Sequence, residues 1–143
     1  KRVSELVDAL AFGDWTGQGL PFYGGNLTYH VPVEVPKDSL LSVRLPQYRG
    51  ALLGVSLDGG PEQPMAFAPY QVDLPAPAGS HTLDITVYGS RINGFGQVHN
   101  CDAALDWFGP NAWRTEGDSW ADEYQLHPMG VLVSPQITLT EKG

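Results

Sequence analysis

Residues 90–129 gather three of the four tryptophans with a set of polar side chains. Sugars present flat faces of C–H groups, and an indole ring offers a flat apolar face on which they stack. Carboxylate, amide, guanidinium and imidazole groups add directional hydrogen bonds to hydroxyls. This combination predicts carbohydrate binding, and the candidate contact residues are Trp107, Trp113, Arg114, Asp118, Trp120, Tyr124, Asn93 and His99.

These side chains also have a purely structural interpretation. Large aromatic residues are mostly buried on average, so the indoles could pin a long loop onto the domain as a satellite core. We favour this interpretation for at least two of Trp107, Trp113 and Trp120, and an exposed indole on a binding face stays open. Asn93 and Arg91 could likewise bond backbone groups of a Gly-rich turn instead of a ligand.

Acidic residues of the same segment raise the question of catalysis. A glycosidase needs two carboxyl groups about 5–10 Å apart, and Asp106, Glu116, Asp118, Asp122 and Glu123 offer many pairs. Acidic loop residues are usually only solvated, and a small sandwich leaves little room for a cleft. We therefore predict that this chain alone is not an enzyme.

No cofactor is predicted. The four histidines, at positions 30, 81, 99 and 127, lack the HxH or HExxH spacing of zinc sites. Calcium prefers clustered oxygen ligands, so Asp118 and Asp122 with loop carbonyls leave a structural calcium ion as a minority option.

Charge and cysteine content narrow the partners. The net charge is −8, and the eight Lys and Arg residues are scattered, which disfavours nucleic acid and anionic membrane surfaces. No stretch approaches the ~20 apolar residues of a membrane span. A neutral partner fits this composition better. The single cysteine, Cys101, leaves the compartment open, and an extracytoplasmic or secreted bacterial location is the one we favour.

The sequence on either side of residues 90–129 predicts short strands. Strands are predicted over residues 27–35, 40–45, 51–57, 65–74, 81–88 and 131–140. Pro32 demotes the first to an edge or bulge, and Asp58-Gly59 signals a tight turn. No segment sustains a helical period over three turns. Short strands at intervals of about 8–12 residues predict an all-β sandwich or barrel, and we favour the sandwich.

A chain of this length forms one domain. Residues 1–20 are predicted as a lead-in and residues 21–143 as the sandwich. The first and last strands are both hydrophobic enough to be central, which favours a jelly roll with its termini side by side. The chain opens without Met on Lys1, so we expect a piece of a longer polypeptide.

Four motifs carry a family resemblance: PFYGGNLTY at residues 21–29, GVSLDG at 54–59, APYQVDL at 68–74 and AGSHTLDITV at 78–87. Over residues 21–89 the chain resembles the galactose-binding-like jelly-roll domains attached to glycoside hydrolases, especially those of family 2. The resemblance implies a non-catalytic accessory domain of a bacterial glycoside hydrolase, which binds carbohydrate near the catalytic domain. The alternative is a structural domain that packs on other domains of the same polypeptide and binds no sugar.

Overall fold

Short strands paired antiparallel form the framework of the protein. The computed structural model describes residues 9–104 and 109–141. The strands are β1 (Leu27–Val35), β2 (Ser39–Arg44), β3 (Tyr48–Arg49), β4 (Leu52–Leu57), β5 (Gln63–Met65), β6 (Gln71–Ala76), β7 (Gly79–Tyr88), β8 (Gly130–Val131) and β9 (Gln136–Glu141). The only α-helical segment in the described chain is the single turn α1 (Ile92–Phe95). The all-β prediction is confirmed.

Two sheets face each other across one hydrophobic core. One sheet has the strand order β1-β7-β4-β5 and the other the order β6-β2-β9, while β3 and β8 form a separate short pair. Side chains from both sheets join the same buried cluster. The architecture is therefore an antiparallel β-sandwich, and the jelly-roll order stays a prediction.

The alternating sequence of β7 determines which face of its sheet packs against the core. Leu83, Ile85 and Val87 alternate with polar residues, and all three are buried. Because successive side chains of a strand point to opposite faces, one face of β7 is apolar throughout. Strands β1 and β4 pair with β7 on its two sides, which places this apolar face at the centre of its sheet.

The lead-in belongs to the packed domain from Leu10 onward. Trp15 is fully buried in the core and begins a short 3-10 turn, Trp15–Gln18. The carboxylate of Asp14 caps this turn through the N–H of Thr16 and also accepts a hydrogen bond from the N–H of Met129. Asp14 thus fastens the lead-in to the end of the long loop. Residues 1–8 lie outside the described chain.

Strand edges depart from the sequence expectations. Residues 65–74 do not form one strand: β5 ends at Met65, and β6 begins at Gln71 after a cis Ala68–Pro69 bond. Residues 131–140 are divided between β8 and β9. The expectation that the first and last strands are central is wrong, because β1 and β9 each lie at the edge of a sheet. Pro32 was expected to mark an edge or a bulge, and β1 does lie at an edge.

Apolar side chains on the inner face of β9 are partly exposed to solvent. Ile137 and Leu139 pair with Val43 and Leu41 of β2, so their side chains point to the same inner face. Val43 and Leu41 are fully buried, whereas Ile137 is 37% and Leu139 36% exposed. The other sheet therefore does not cover β9 as it covers β2.

No helix in the described residues has the length and apolarity that crossing a bilayer requires.

Candidate functional site

The described residues of segment 90–129 form a long loop that belongs to neither sheet. An isolated antiparallel bridge joins Asn100 to Trp120. Beside it, the backbone N–H of Ala121 donates to the carbonyl oxygen of His99 at 2.9 Å. The Nδ1 of His99 in turn donates to the carbonyl oxygen of Ala121, also at 2.9 Å. These bonds hold the two halves of the loop together and set the orientation of the His99 ring.

A buried amide anchors the loop. Asn93 is only 2% exposed. Its Nδ2 donates to the carbonyl oxygen of His127 at 2.8 Å, and its Oδ1 accepts from the N–H of His127 at the same distance. A buried amide with both groups paired stabilises the backbone around it. The side chain of Asn93 thus holds the backbone of the loop at His127, and little of it is accessible from the surface.

Four rings make a continuous row across this loop. Phe22 meets Tyr124 edge-on with centroids 4.9 Å apart, Tyr124 lies 5.0 Å from His99, and His99 stacks on Trp120 at 5.8 Å. We call these four residues the aromatic row. Trp120 and His99 are half-buried, whereas Phe22 and Tyr124 are exposed, Tyr124 to 58%. The row therefore has an anchored end and a solvent-facing end.

The remaining predicted contact residues lie on the same loop. Trp113 is 54% exposed and borders a small groove that His99 also lines. Arg114 lines this groove too, and its Nε donates to the carbonyl oxygen of Asn111 at 2.9 Å. Asp118 is exposed, and its carbonyl oxygen accepts a weak bond from the Cys101 thiol.

The tryptophans predicted to contact a ligand differ in how far they are exposed. Of the three tryptophans named from the sequence, Trp113 presents its ring to solvent and Trp120 packs on a neighbour. Trp107 lies outside the described residues. Among the described tryptophans, the loop therefore carries one exposed and one half-buried indole, and Trp15 in the lead-in is fully buried.

A groove of about 490 Å³ lies beside the solvent-facing end of the aromatic row. Tyr124 forms one side of it, and Gln97, Asn100 and Asp102 contribute polar groups. We call it the loop groove. Gln97 is only 8% exposed, and its Nε2 has no hydrogen-bond partner in residues 9–104 and 109–141. Native proteins rarely leave a buried donor unpaired.

A second groove, of about 470 Å³, lies beyond Phe22. It is lined by Phe22, Phe95, Arg91 and the backbone of Gly24 and Gly25. Because Phe22 and Tyr124 are in contact, their rings separate this groove from the loop groove. The contact between Phe22 and Tyr124 thus connects a lining residue of one groove to a lining residue of the other.

Sequence reasoning missed two residues of this surface. Phe22 stood within the PFYGGNLTY motif, where it counted only as a marker of the fold. Gln97 lies between Asn93 and His99 in the sequence but was not among the predicted contact residues. An aromatic residue directly before a Gly-Gly pair and a Gln in a Gly-rich rim loop were the available signals.

The electrostatics of the loop are acidic. Residues 90–129 contain two arginines against six aspartates and glutamates. No group of three or more His, Cys, Asp or Glu side chains in the described chain is arranged to hold a metal ion. The calcium option at Asp118 and Asp122 gains no support from this arrangement.

Comparison with protein-family models, curated proteins and solved structures finds no match to this chain.

Proposed function

We propose that this protein is a non-catalytic carbohydrate-binding domain of a glycoside hydrolase-like protein, with a galactose-binding-like jelly-roll fold. The observation that carries the proposal is the aromatic row, in which Phe22 before β1 and Tyr124 on the long loop contact each other and are both exposed. Clustered exposed rings on a soluble domain mark interaction sites. Such rings match the C–H faces of sugars.

The chemistry around the row supports a neutral polymer as the ligand. The loop carries four more acidic than basic residues by sequence, and this excess repels anions. Polar groups from Asn100, Asp102 and Gln97 lie within the loop groove and can exchange hydrogen bonds with hydroxyls. The surface is shallow, so affinity for a single sugar unit is weak and grows with the length of the chain bound.

The experiment is a glycan array probed with the 143-residue chain, followed by calorimetry on the best ligand. Tyr124→Ala and Trp113→Ala should each lower affinity at least tenfold. Phe67→Ala is the matched control, because Phe67 is exposed but lies in the connection between β5 and β6, outside the loop. Equal losses for Phe67→Ala, or no binding by the unmodified chain, would contradict the proposal.

A structural role is the second candidate, and a different observation favours it. A groove of about 780 Å³ is lined by Leu10, Phe12, Leu27 and Val31. Apolar side chains on β9 are exposed as well. Leu10 and Phe12 belong to the lead-in, so an apolar face of another domain in the same polypeptide would meet this surface close to the lead-in.

The two candidates differ in what substitution on β9 does. We expect Ile137→Thr with Leu139→Thr to reduce binding of an apolar dye and to leave glycan binding unchanged. If the array stays empty and the dye binds only the unmodified chain, the structural candidate replaces the carbohydrate-binding one.

A further inference from the structure

Among the described residues of the loop, Gln97 carries the one buried side-chain nitrogen or oxygen that has no hydrogen-bond partner. The residue is more than nine-tenths buried, yet it lines the loop groove and also the smaller groove beside Trp113. Its Nε2 has no partner among the described residues. An unpaired buried donor destabilises the free protein, and a ligand that accepts a hydrogen bond from it removes that penalty.

We propose that Gln97 forms the hydrogen-bonding floor of a subsite for an uncharged, hydroxyl-rich sugar ring that stacks against Tyr124. This inference rests on the proposed carbohydrate-binding function and adds to it a named donor and a ligand class. On binding, the terminal amide of Gln97 rotates and presents Nε2 to a ring hydroxyl. The terminal torsion of Gln has broad minima, so this rotation needs no change of backbone.

The position of Gln97 between the rings supports the proposal. Tyr124 borders the loop groove and His99 borders the groove beside Trp113, while Gln97 and Asn100 line both. Gln97 therefore lies between a groove bordered by Tyr124 and a groove bordered by His99. A sugar stacked there would turn one edge of hydroxyl groups toward Gln97 and Asn100.

The surrounding charge selects among sugars. Asp102 lines the loop groove, and Asp122 and Glu123 precede Tyr124 directly in the chain. No Lys or Arg is among the described residues that line the loop groove. A carboxylate on a ligand in the loop groove would meet repulsion from Asp102, and the guanidinium of Arg114 lies instead in the smaller groove beside Trp113. The subsite therefore takes neutral sugars and rejects uronic acids.

The test uses the 143-residue chain labelled with nitrogen-15 and four neutral probes: cellopentaose, xylopentaose, mannopentaose and galactopentaose. Pentagalacturonate is the anionic probe. The side-chain amide signals of Gln97 should shift on titration with at least one neutral probe and stay in place with pentagalacturonate. Gln97→Leu should weaken binding of that neutral probe about tenfold without lowering the melting temperature, because Leu removes the unpaired donor. Gln136→Leu, at an exposed position of β9, is the control.

Failure of this inference differs from failure of the proposed function. If a neutral probe shifts the signals of Phe22 and Tyr124 while the Gln97 amide stays in place and Gln97→Leu binds normally, only the subsite is wrong. A shift of the Gln97 amide with pentagalacturonate would overturn the ligand class. If no probe shifts any signal of the aromatic row, both the subsite and the carbohydrate-binding function are wrong.

Discussion

The ring of Phe22 stands edge-on to the ring of Tyr124, with 4.9 Å between centroids and 78° between ring planes. Phe22 precedes the first strand and Tyr124 lies near the end of the long loop, so this contact joins distant parts of the chain. An edge-to-face pair contributes about 0.5–1.5 kcal/mol beyond its buried area. The surface proposed to bind sugars is therefore attached to the sandwich by its own rings.

Truncating either ring should show how much that ring contributes to stability and how much to glycan binding. Phe22→Ala and Tyr124→Ala should each lower the free energy of unfolding by about 1 kcal/mol, because each loses the same edge-to-face pair. Tyr124→Ala should weaken glycan binding the more, since its ring borders the loop groove. Urea denaturation and calorimetry measure the two effects. A double variant no less stable than either single variant would confirm that the rings act as a pair.

Truncation of the two described tryptophans of the loop should affect stability to very different extents. Trp113→Ala should change the free energy of unfolding by less than about 0.5 kcal/mol, as is usual for exposed positions. Trp120→Ala should cost about 2–3 kcal/mol, below the ~3–5 kcal/mol of a fully buried indole, because its ring packs on His99. Thermal melts of both variants test this. A steep loss for Trp113→Ala would mean that its ring pins the loop.

His81 should make stability depend on pH. Its Nδ1 meets the Asp58 carboxylate at 2.6 Å and its Nε2 meets the carbonyl oxygen of Pro77 at 2.8 Å. Both bonds need a donor, so the ring is held as the cation. The hydrogen bond to Asp58 raises the pKa of His81 above its ordinary value of 6.5, and the bond from His81 lowers the pKa of Asp58 below 3.8.

The direction of the pH effect follows from these two shifts. The stabilisation from His81 is complete below about pH 6.5 and is lost as pH rises through its raised pKa. The stabilisation from Asp58 is complete above about pH 3.8 and is lost as pH falls through its lowered pKa. Melting temperature should therefore decline above neutral pH in the unmodified chain and stay level in His81→Asn. His30→Asn, at an exposed His–Asp pair, should decline as the unmodified chain does.

Gly89 should tolerate no side chain. A Cβ placed there would overlap the carbonyl oxygens of Gly24 and Gly25, which belong to backbone and cannot move aside. Gly89→Ala should therefore cost about 3 kcal/mol, the upper part of the range for overpacking. Gly17→Ala is the matched control, since no heavy atom lies within 4 Å of a Cβ at Gly17. Equal melting temperatures for the two variants would contradict the prediction.

Much of the framework could be predicted from local pattern. The alternation of Leu83, Ile85 and Val87 determines which face of β7 is buried, because side-chain direction in a strand has period two. Asp58 and Gly59 both take positive φ, as their tight-turn signal predicts. These properties depend on residues adjacent in the chain, so the sequence alone is enough to read them.

Only the tertiary structure decided which loop residues face solvent. Asn93 and Gln97 are polar residues of one Gly-rich run, yet one is fully paired with His127 and the other keeps an unpaired donor beside a groove. Phe22 became part of the candidate site only because it meets Tyr124. Such roles depend on partners far away in the chain, and no local periodicity encodes the distance between two residues brought together by the folding of the whole domain.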